Sequence, residues 1–223
     1  MTVLIDQFFN LSIMAKALPL LLRGLLMTLQ ICLVVIPCGL LAGLALALMN
    51  DARAAWLRIP AILYVDLFRA LPPLVLLIFI YSGLPFLGIR PSAFEAVCIA
   101  FVLNNCAYYC EIFRAGLASI PPGQQEAARS TGLTLTQTAL YIVIPQAVRN
   151  VLPDLISNTI EVVKATSLAS VVALTELLHA ADMARSVTYN ASPVVLAALI
   201  YLVFLWPCVR LLSRLENKGA KAR

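Results

Sequence analysis

The polar positions of this chain fall in short intervals between long apolar runs, and the lengths of those runs decide which elements are expected. Over 24–49 no charge interrupts a run of Leu, Val, Ile and small residues. A helix of that length covers the roughly 30 Å hydrocarbon core of a bilayer with some tilt, and the run is too long for a signal-peptide core. A second span is expected over 60–81, with Asp66 and Arg69 in its first half; Gly83, Pro85, Gly88 and Pro91 then read as a turn-rich loop. A third span is expected over 92–112, bounded by Glu95 and Glu111, and a fourth over 145–174, which includes Asp154, Glu161 and Lys164. The fifth, over 187–209, carries no charge. Upstream, residues 1–22 mix Phe8, Phe9, Leu11, Ile13 and Met14 with Asp6, Gln7, Asn10 and Lys16, a pattern expected of an interfacial segment.

One polar stretch stands apart, over 119–145. Pro121, Pro122 and Gly123 end the third helix and reset the chain. Residues 124–131 are good helix formers, and Gly132 can supply the left-handed residue that closes such a helix. Thr134 with Gln137 three residues later fits a capping box for a following helix, which runs to a kink or break at Pro145. The expected product is a helix, a glycine turn and a second helix. Polar backbone of this kind survives beside a membrane only where water or protein satisfies it.

Composition agrees with the pattern: 62% of the 223 residues are hydrophobic and 12% charged, with a mean hydropathy of +0.94. That points to an all-α integral membrane protein of a single domain, 1–223, with no room for a separate soluble one. The formal charge of +5 is a topology signal. Arg53 and Arg58, then Arg114, Arg129 and Arg149, then Arg210, Arg214, Lys218, Lys221 and Arg223 share one side, while Lys16, Arg23, Arg90 and Arg185 share the other. By the positive-inside rule the richer side is cytoplasmic. The 119–145 loop and the C-terminus are therefore expected in the cytoplasm and the N-terminus outside. No basic stripe interleaved with aromatics is present, so nucleic acid is not an expected partner.

Six cysteines, Cys32, Cys38, Cys98, Cys106, Cys110 and Cys208, lie within or beside spans and form no Cys-x-x-Cys pair. Cys106 and Cys110 share a helix face without a histidine or second pair, so apolar filling is expected in place of metal binding. His179, the single histidine, reads as a loop or interface residue. Gly39 and Gly43 fit the small-xxx-small pattern for close helix approach. No Gly-x-x-x-x-Gly-Lys-Ser/Thr loop occurs, so nucleotide hydrolysis would have to come from another polypeptide.

The order Glu126-Ala127-Ala128, three residues, Gly132, nine residues, Ile142-Val143-Ile144-Pro145 resembles the EAA loop of ATP-binding-cassette (ABC) importer permeases, with Ile144 where Leu is usual. The resemblance extends through Tyr64 to Pro72, Tyr108 to Gly116, Ser119 to Gln124, and Pro145 to Arg149 on to Lys164 to Leu168, and is to the polar amino-acid branch (histidine, lysine, arginine, glutamate, glutamine and opine uptake). It implies a five-helix permease subunit that pairs with an identical or similar subunit around a translocation path. The EAA helix would be the coupling helix, with Glu126, Ala127, Ala128 and Gly132 contacting a cytoplasmic ATPase dimer. A solute-binding protein would deliver an amino acid from outside. No cofactor is implied for this chain; ATP and Mg²⁺ would sit on the partner ATPase, so the chain itself would be no enzyme. The family commonly shows Arg-Gly-Thr-Pro where this chain has Arg69-Ala70-Leu71-Pro72, so any substrate contact by that Thr is missing here.

Ionisable groups at mid-bilayer each cost about 2.5 to 3.5 kcal/mol on insertion scales and face a partner or cavity. Asp66, Arg69, Glu161 and Lys164, together with Asn105 and Asn158, are thus candidate path residues. Alternatively, Asp66 with Arg69, and Glu161 with Lys164, are i, i+3 pairs that neutralise each other. Pairing is the stronger expectation for Asp66 and Arg69, and the path for Asn158 and Glu161, one helical turn apart. The function expected is an importer permease for a polar amino acid or related zwitterion. A self-sufficient secondary transporter or channel is the alternative; no repeat of the EAA segment or of the charged spans supports it.

Overall fold

The computed structural model describes residues 2–52 and 54–221. Arg53 and Arg223, two of the cations that orient the chain, lie outside the described residues, as does Met1. Every regular element among the described residues is helical. Among the described residues, four helices are long and apolar enough to cross a membrane, and a fifth crossing is available if one bent pair counts as a single span.

The first span begins well before residue 24. After a short α1 (Thr2–Phe8), α2 (Leu11–Asn50) runs unbroken for 40 residues, about 60 Å at 1.5 Å per residue. Asn10 starts it by accepting a hydrogen bond from the Ile13 N–H through its side chain. The buried positions Met14, Ala17, Leu21, Gly24, Thr28, Ile31, Val35, Gly39, Gly43 and Ala47 recur at steps of three and four along one face. Lys16, Pro19 and Pro37 fall on the exposed side, so they interrupt neither the stripe nor the helix. The interfacial expectation for 1–22 is therefore corrected over 11–22. α1 is a separate helix, tied by Asn190 Nδ2 to the Asp6 carbonyl at 2.9 Å and by the Ala191 N–H to the Gln7 carbonyl at 3.0 Å.

The centre of the molecule is the contact of α2 with α5 (Ala93–Ala118). A Cβ added at Gly43 would stand 2.6 Å from Tyr109 Cβ and 3.0 Å from the Cys106 carbonyl, and one at Gly39 would stand 3.2 Å from the Tyr109 ring. The two glycines thus let the helices approach around Tyr109, which is fully buried and shares a 2.8 Å hydrogen bond with Thr159 Oγ1. Ser92 and Glu95 form a capping box at the start of α5.

The segment expected as one span over 60–81 is two helices, α3 (Ala55–Ala70) and α4 (Pro73–Gly83), meeting at 100°. Pro72 and Pro73 lack the N–H groups that would continue the ladder, and proline holds the residue before it extended. Asn104, 2% exposed, compensates by donating from Nδ2 to the Phe68 carbonyl at 2.8 Å and the Leu71 carbonyl at 3.4 Å.

The region expected as one span over 145–174 is likewise divided. It comprises α8 (Ile144–Asn150), α9 (Leu152–Ala165) and a 3-10 turn (Thr166–Val172). A 12-residue α10 (Leu177–Thr188) packs against α2 and α11 (Ser192–Lys221). Val187 and Thr188 belong to α10, which Tyr189 ends in the left-handed region with φ 50°. The last long helix accordingly starts at Ser192, five residues later than expected. His179 sits in the first turn of α10, partly buried.

Candidate functional site

The loop between α5 and α8 follows its local chemistry. α6 (Pro122–Ser130) starts on a proline, whose missing N–H has no helical partner to lose. Gly132 turns the chain at φ +90°, its N–H bonded to the Arg129 carbonyl and the Leu133 N–H to that of Ala128. Thr134 and Gln137 form the expected capping box for α7 (Leu135–Thr138). Beyond it, Ala139–Val143 is a π-helical turn in which the Ile144 N–H reaches back five residues to the Ala139 carbonyl. The chain stays helical through Pro145, which sits at the start of α8, and the π turn ahead of it is where the winding changes.

Glu126, Ala127 and Gly132 are exposed, and among the described residues none beyond its chain neighbours lies within 4 Å of a Cβ built at Gly132. Ala128 differs. It is 8% exposed and turned inward, so it seats the helix on the chain itself and offers a partner little surface. Leu135, Leu140 and Tyr141 are exposed beside this unit at 68%, 55% and 69%, an apolar margin the sequence pattern does not single out. The loop is fixed to the bundle by Asn150 Nδ2 donating to Ser119 Oγ at 2.8 Å, and by Gly116, where an added Cβ would stand 2.9 Å from the Ala147 carbonyl.

The six candidate path residues do not form one cluster. Glu161 and Lys164 pair with each other on the exposed face of α9. With Asp154 and Ser157, also exposed, they make a polar stripe at spacings of three, four and three, hence one side of the helix. Lys164 and Ser167 also rim a groove of about 520 Å³ whose other walls include Ala198, Leu202 and Leu205. Asn158 lies beside the stripe; its Nδ2 is buried without a hydrogen-bond partner. Asn105 is 8% exposed and donates to the Phe101 carbonyl of its own helix at 2.9 Å.

The expected pairing of Asp66 with Arg69 is corrected. Arg69 Nη1 instead reaches Glu111 Oε2 on α5 at 3.3 Å and stands 5.8 Å over the Tyr108 ring. Arg114 grips the same carboxylate in a fork, Nε to Oε1 at 2.9 Å and Nη2 to Oε2 at 2.8 Å. Asp66 is exposed and lines a cleft of about 300 Å³ with Asn50, Ile62, Val65, Glu111 and Arg114. The i, i+3 rule predicts the helical neighbour, yet a longer reach to α5 supplies a carboxylate already held in place.

Two polar residues escaped the sequence reading. Asn104 was hidden beside Asn105, although an amide doublet inside a span is itself a signal. Glu176, 0% exposed, caps α10 by accepting from the Leu178 and His179 N–H groups, each at 2.8 Å, and from the Tyr201 hydroxyl at 3.3 Å. Beside it the Leu177 N–H donates to Thr28 Oγ1 at 3.3 Å. A carboxylate immediately before a helical run, next to Thr175, is the available cue. Among the described residues no group of three His, Cys, Asp or Glu side chains could hold a metal ion.

Comparison with known proteins places the chain. The chain is 37% identical over 197 residues to a probable amino-acid ABC transporter permease, YckA, of Bacillus subtilis (strain 168), covering 88% of this chain and 87% of that protein. It is 38% identical over 206 residues to the octopine transport permease OccM of Rhizobium meliloti, covering 88% and 84%. A crystal structure of an amino acid ABC transporter with histidines superposes with a TM-score of 0.82 at 38% identity, covering 92% of this chain and 96% of that one. An inward-facing structure of the MetNI methionine ABC transporter, at 21% identity and a TM-score of 0.72, shares the fold. Residues 36–218 match the family described as the binding-protein-dependent transport system inner membrane component, and the chain belongs to that family.

Proposed function

We propose that this membrane-spanning ABC permease subunit carries a polar amino acid or related zwitterion inward, driven by a separate ATPase. The observation that carries the reading is the 119–145 unit. It presents Glu126, Ala127 and the positive-φ Gly132 on a surface left exposed among the described residues. Glu126 offers a charged anchor and Ala127 permits close approach. Leu135, Leu140 and Tyr141 add apolar area for a docked partner to bury. Ala128, Ala147 and Ile120 anchor the unit from within, so force applied to the loop passes into α5 and α8.

In this reading the loop faces the cytoplasm and a dimer of ATPase subunits holds ATP and Mg²⁺, so the chain needs no cofactor and performs no covalent chemistry. The polar stripe of α9, with Asp154, Ser157, Glu161 and Lys164, supports a path shared with a second permease subunit, identical or similar. Four polar side chains aligned on an exposed face are costly against lipid and are satisfied by water or by a partner. Asn158 adds a buried donor that has no acceptor among the described residues, and Asn105 is a further amide on α5. Glu161 and Lys164 together suit a zwitterion, the carboxylate for its ammonium and the ammonium for its carboxylate. Asp66 and Arg69 belong to a different place, beside Glu111. A solute-binding protein delivers the cargo from outside, and closure of the ATPase dimer alternates access.

Gly132→Asp tests the reading. It should abolish uptake and co-purification of the ATPase while membrane insertion stays normal, because a non-glycine residue at φ +90° strains the turn and the new carboxylate disturbs the docking face. Normal uptake by this variant would remove the coupling role.

A further inference from the structure

The broken second span and its charged neighbours are not accounted for by a path along α9. α3 is held to α5 in two different ways. The first kind of tie is neutral and shielded: Asn104 holds the Phe68 and Leu71 carbonyls, and the Tyr64 hydroxyl donates to the Leu103 carbonyl at 2.9 Å. The second tie is ionic and partly wet. Arg69 and Arg114 share Glu111, with side-chain exposures of 42%, 52% and 23%. Next to it the cleft of about 300 Å³ separates Asp66 on α3 from Arg114 on α5. Asp66 has no cation within 4 Å among the described residues.

Two guanidiniums on one carboxylate, with a second carboxylate standing open across a cleft, is an arrangement with two solutions. In the first, seen here, Glu111 takes both cations. In the second, α3 swings about the Pro72–Pro73 break, the cleft closes, and Arg114 passes to Asp66 while Arg69 keeps Glu111. Charge balance improves in the second state, from one carboxylate against two cations to two against two. Partial hydration keeps each pair weak enough to exchange. Arg114 is also well placed to feel the loop: Gly116, two residues on, packs against Ala147 and Val151, and Ser119 bonds Asn150.

We propose that Asp66, Arg69, Glu111 and Arg114 form an exchangeable ionic latch between α3 and α5. Its four residues are positioning residues for transport, converting movement of the 119–145 loop into a swing of the α3 arm. This inference rests on the ATPase-driven reading above. It identifies the kind of element that such a machine needs, packed parts with two discrete arrangements that a partner can bias.

The test uses the assembled transporter in nanodiscs, its six cysteines replaced and spin labels attached at Asn50→Cys at the end of α2 and Ile62→Cys on α3, which both line the cleft. The label separation is measured without nucleotide and after trapping with ATP and vanadate. Trapping should shift the separation in the parent, and the shift should be lost in both Glu111→Gln and Asp66→Asn. The exchange Arg69→Glu with Glu111→Arg should restore at least half of it, which a merely structural role would not. A second readout is the ratio of ATP hydrolysis with and without an equimolar mixture of the twenty amino acids. That ratio should fall several-fold in Glu111→Gln while the rate without amino acids changes less than twofold. An unshifted separation in the parent, or a full shift in both single variants, overturns the latch. Failure of the amino-acid mixture to stimulate the parent overturns the cargo assignment and leaves the latch standing on the distances.

Discussion

Two carboxylates in this apolar chain have opposite surroundings. Glu176 is fully buried and is satisfied by two backbone N–H groups and the hydroxyl of Tyr201. Glu111 is partly wet and is satisfied by two arginines, one on its own helix and one on α3. Two of the three donors around Glu176 are backbone N–H groups in the first turn of the helix it caps, so they can move only if that helix unwinds. Those around Glu111 are the tips of long flexible side chains, and either can leave without disturbing a backbone bond. A carboxylate bound by backbone behaves as a rivet, and one bound by side-chain cations behaves as a clasp. Both come from the same chemistry, and the difference lies in what must break for the partner to leave.

The comparison fails if the two sites respond alike to substitution. Glu176→Ala should cause the largest loss, about 3 kcal/mol or more, because two N–H groups and a hydroxyl would be left buried and unpaired. It should show as a large drop in the thermal midpoint of the detergent-purified protein and as poor membrane yield. Asn104→Leu is intermediate, at about 1 to 2 kcal/mol, since two carbonyls lose a donor at a break that already lacks ladder bonds. Glu111→Gln should move the same midpoint least, by less than about 1 kcal/mol, as expected of a partly exposed ion pair, despite its effect on coupling. Salt sharpens the contrast further. Raising NaCl to 1 M, where the screening length is about 3 Å, should reduce the difference between the parent and Glu111→Gln and leave that between the parent and Glu176→Ala unchanged. A salt-sensitive Glu176 would erase the distinction.

The same division explains what could be read in advance. Pro122, Gly132, Thr134 and Gln137 act on residues at most four positions away, and the helix, glycine turn and capping box they imply are all present. Membership in the permease family was legible for the same reason, as ordered local motifs. The long reach of Arg69 to Glu111 was not, because a choice between Asp66 and a carboxylate 42 positions on depends on how α3 meets α5. Nor was the full length of α2. Its buried stripe is written in the sequence from Met14 to Ala47, but Lys16 and Pro19 on the opposite face mask it until the neighbouring helices show which side is inside. Pro72–Pro73 marks a break in the sequence, yet the flanking apolar residues alone satisfy the length of a single span.

The π turn at Ala139–Val143 has a consequence for how this loop can vary. The buried positions Thr138, Val143 and Ala147 are five and then four residues apart, so the extra residue keeps one inward face continuous across the turn. Removing a single residue from it would rewind the segment as ordinary α-helix and rotate everything on one side by about 100° relative to the other. Ala128 would then lose its seat, or Ala147 would turn away from Gly116. The loop therefore tolerates substitution more readily than a change of count, and its length works as a setting of phase between the exposed surface and the bundle beneath.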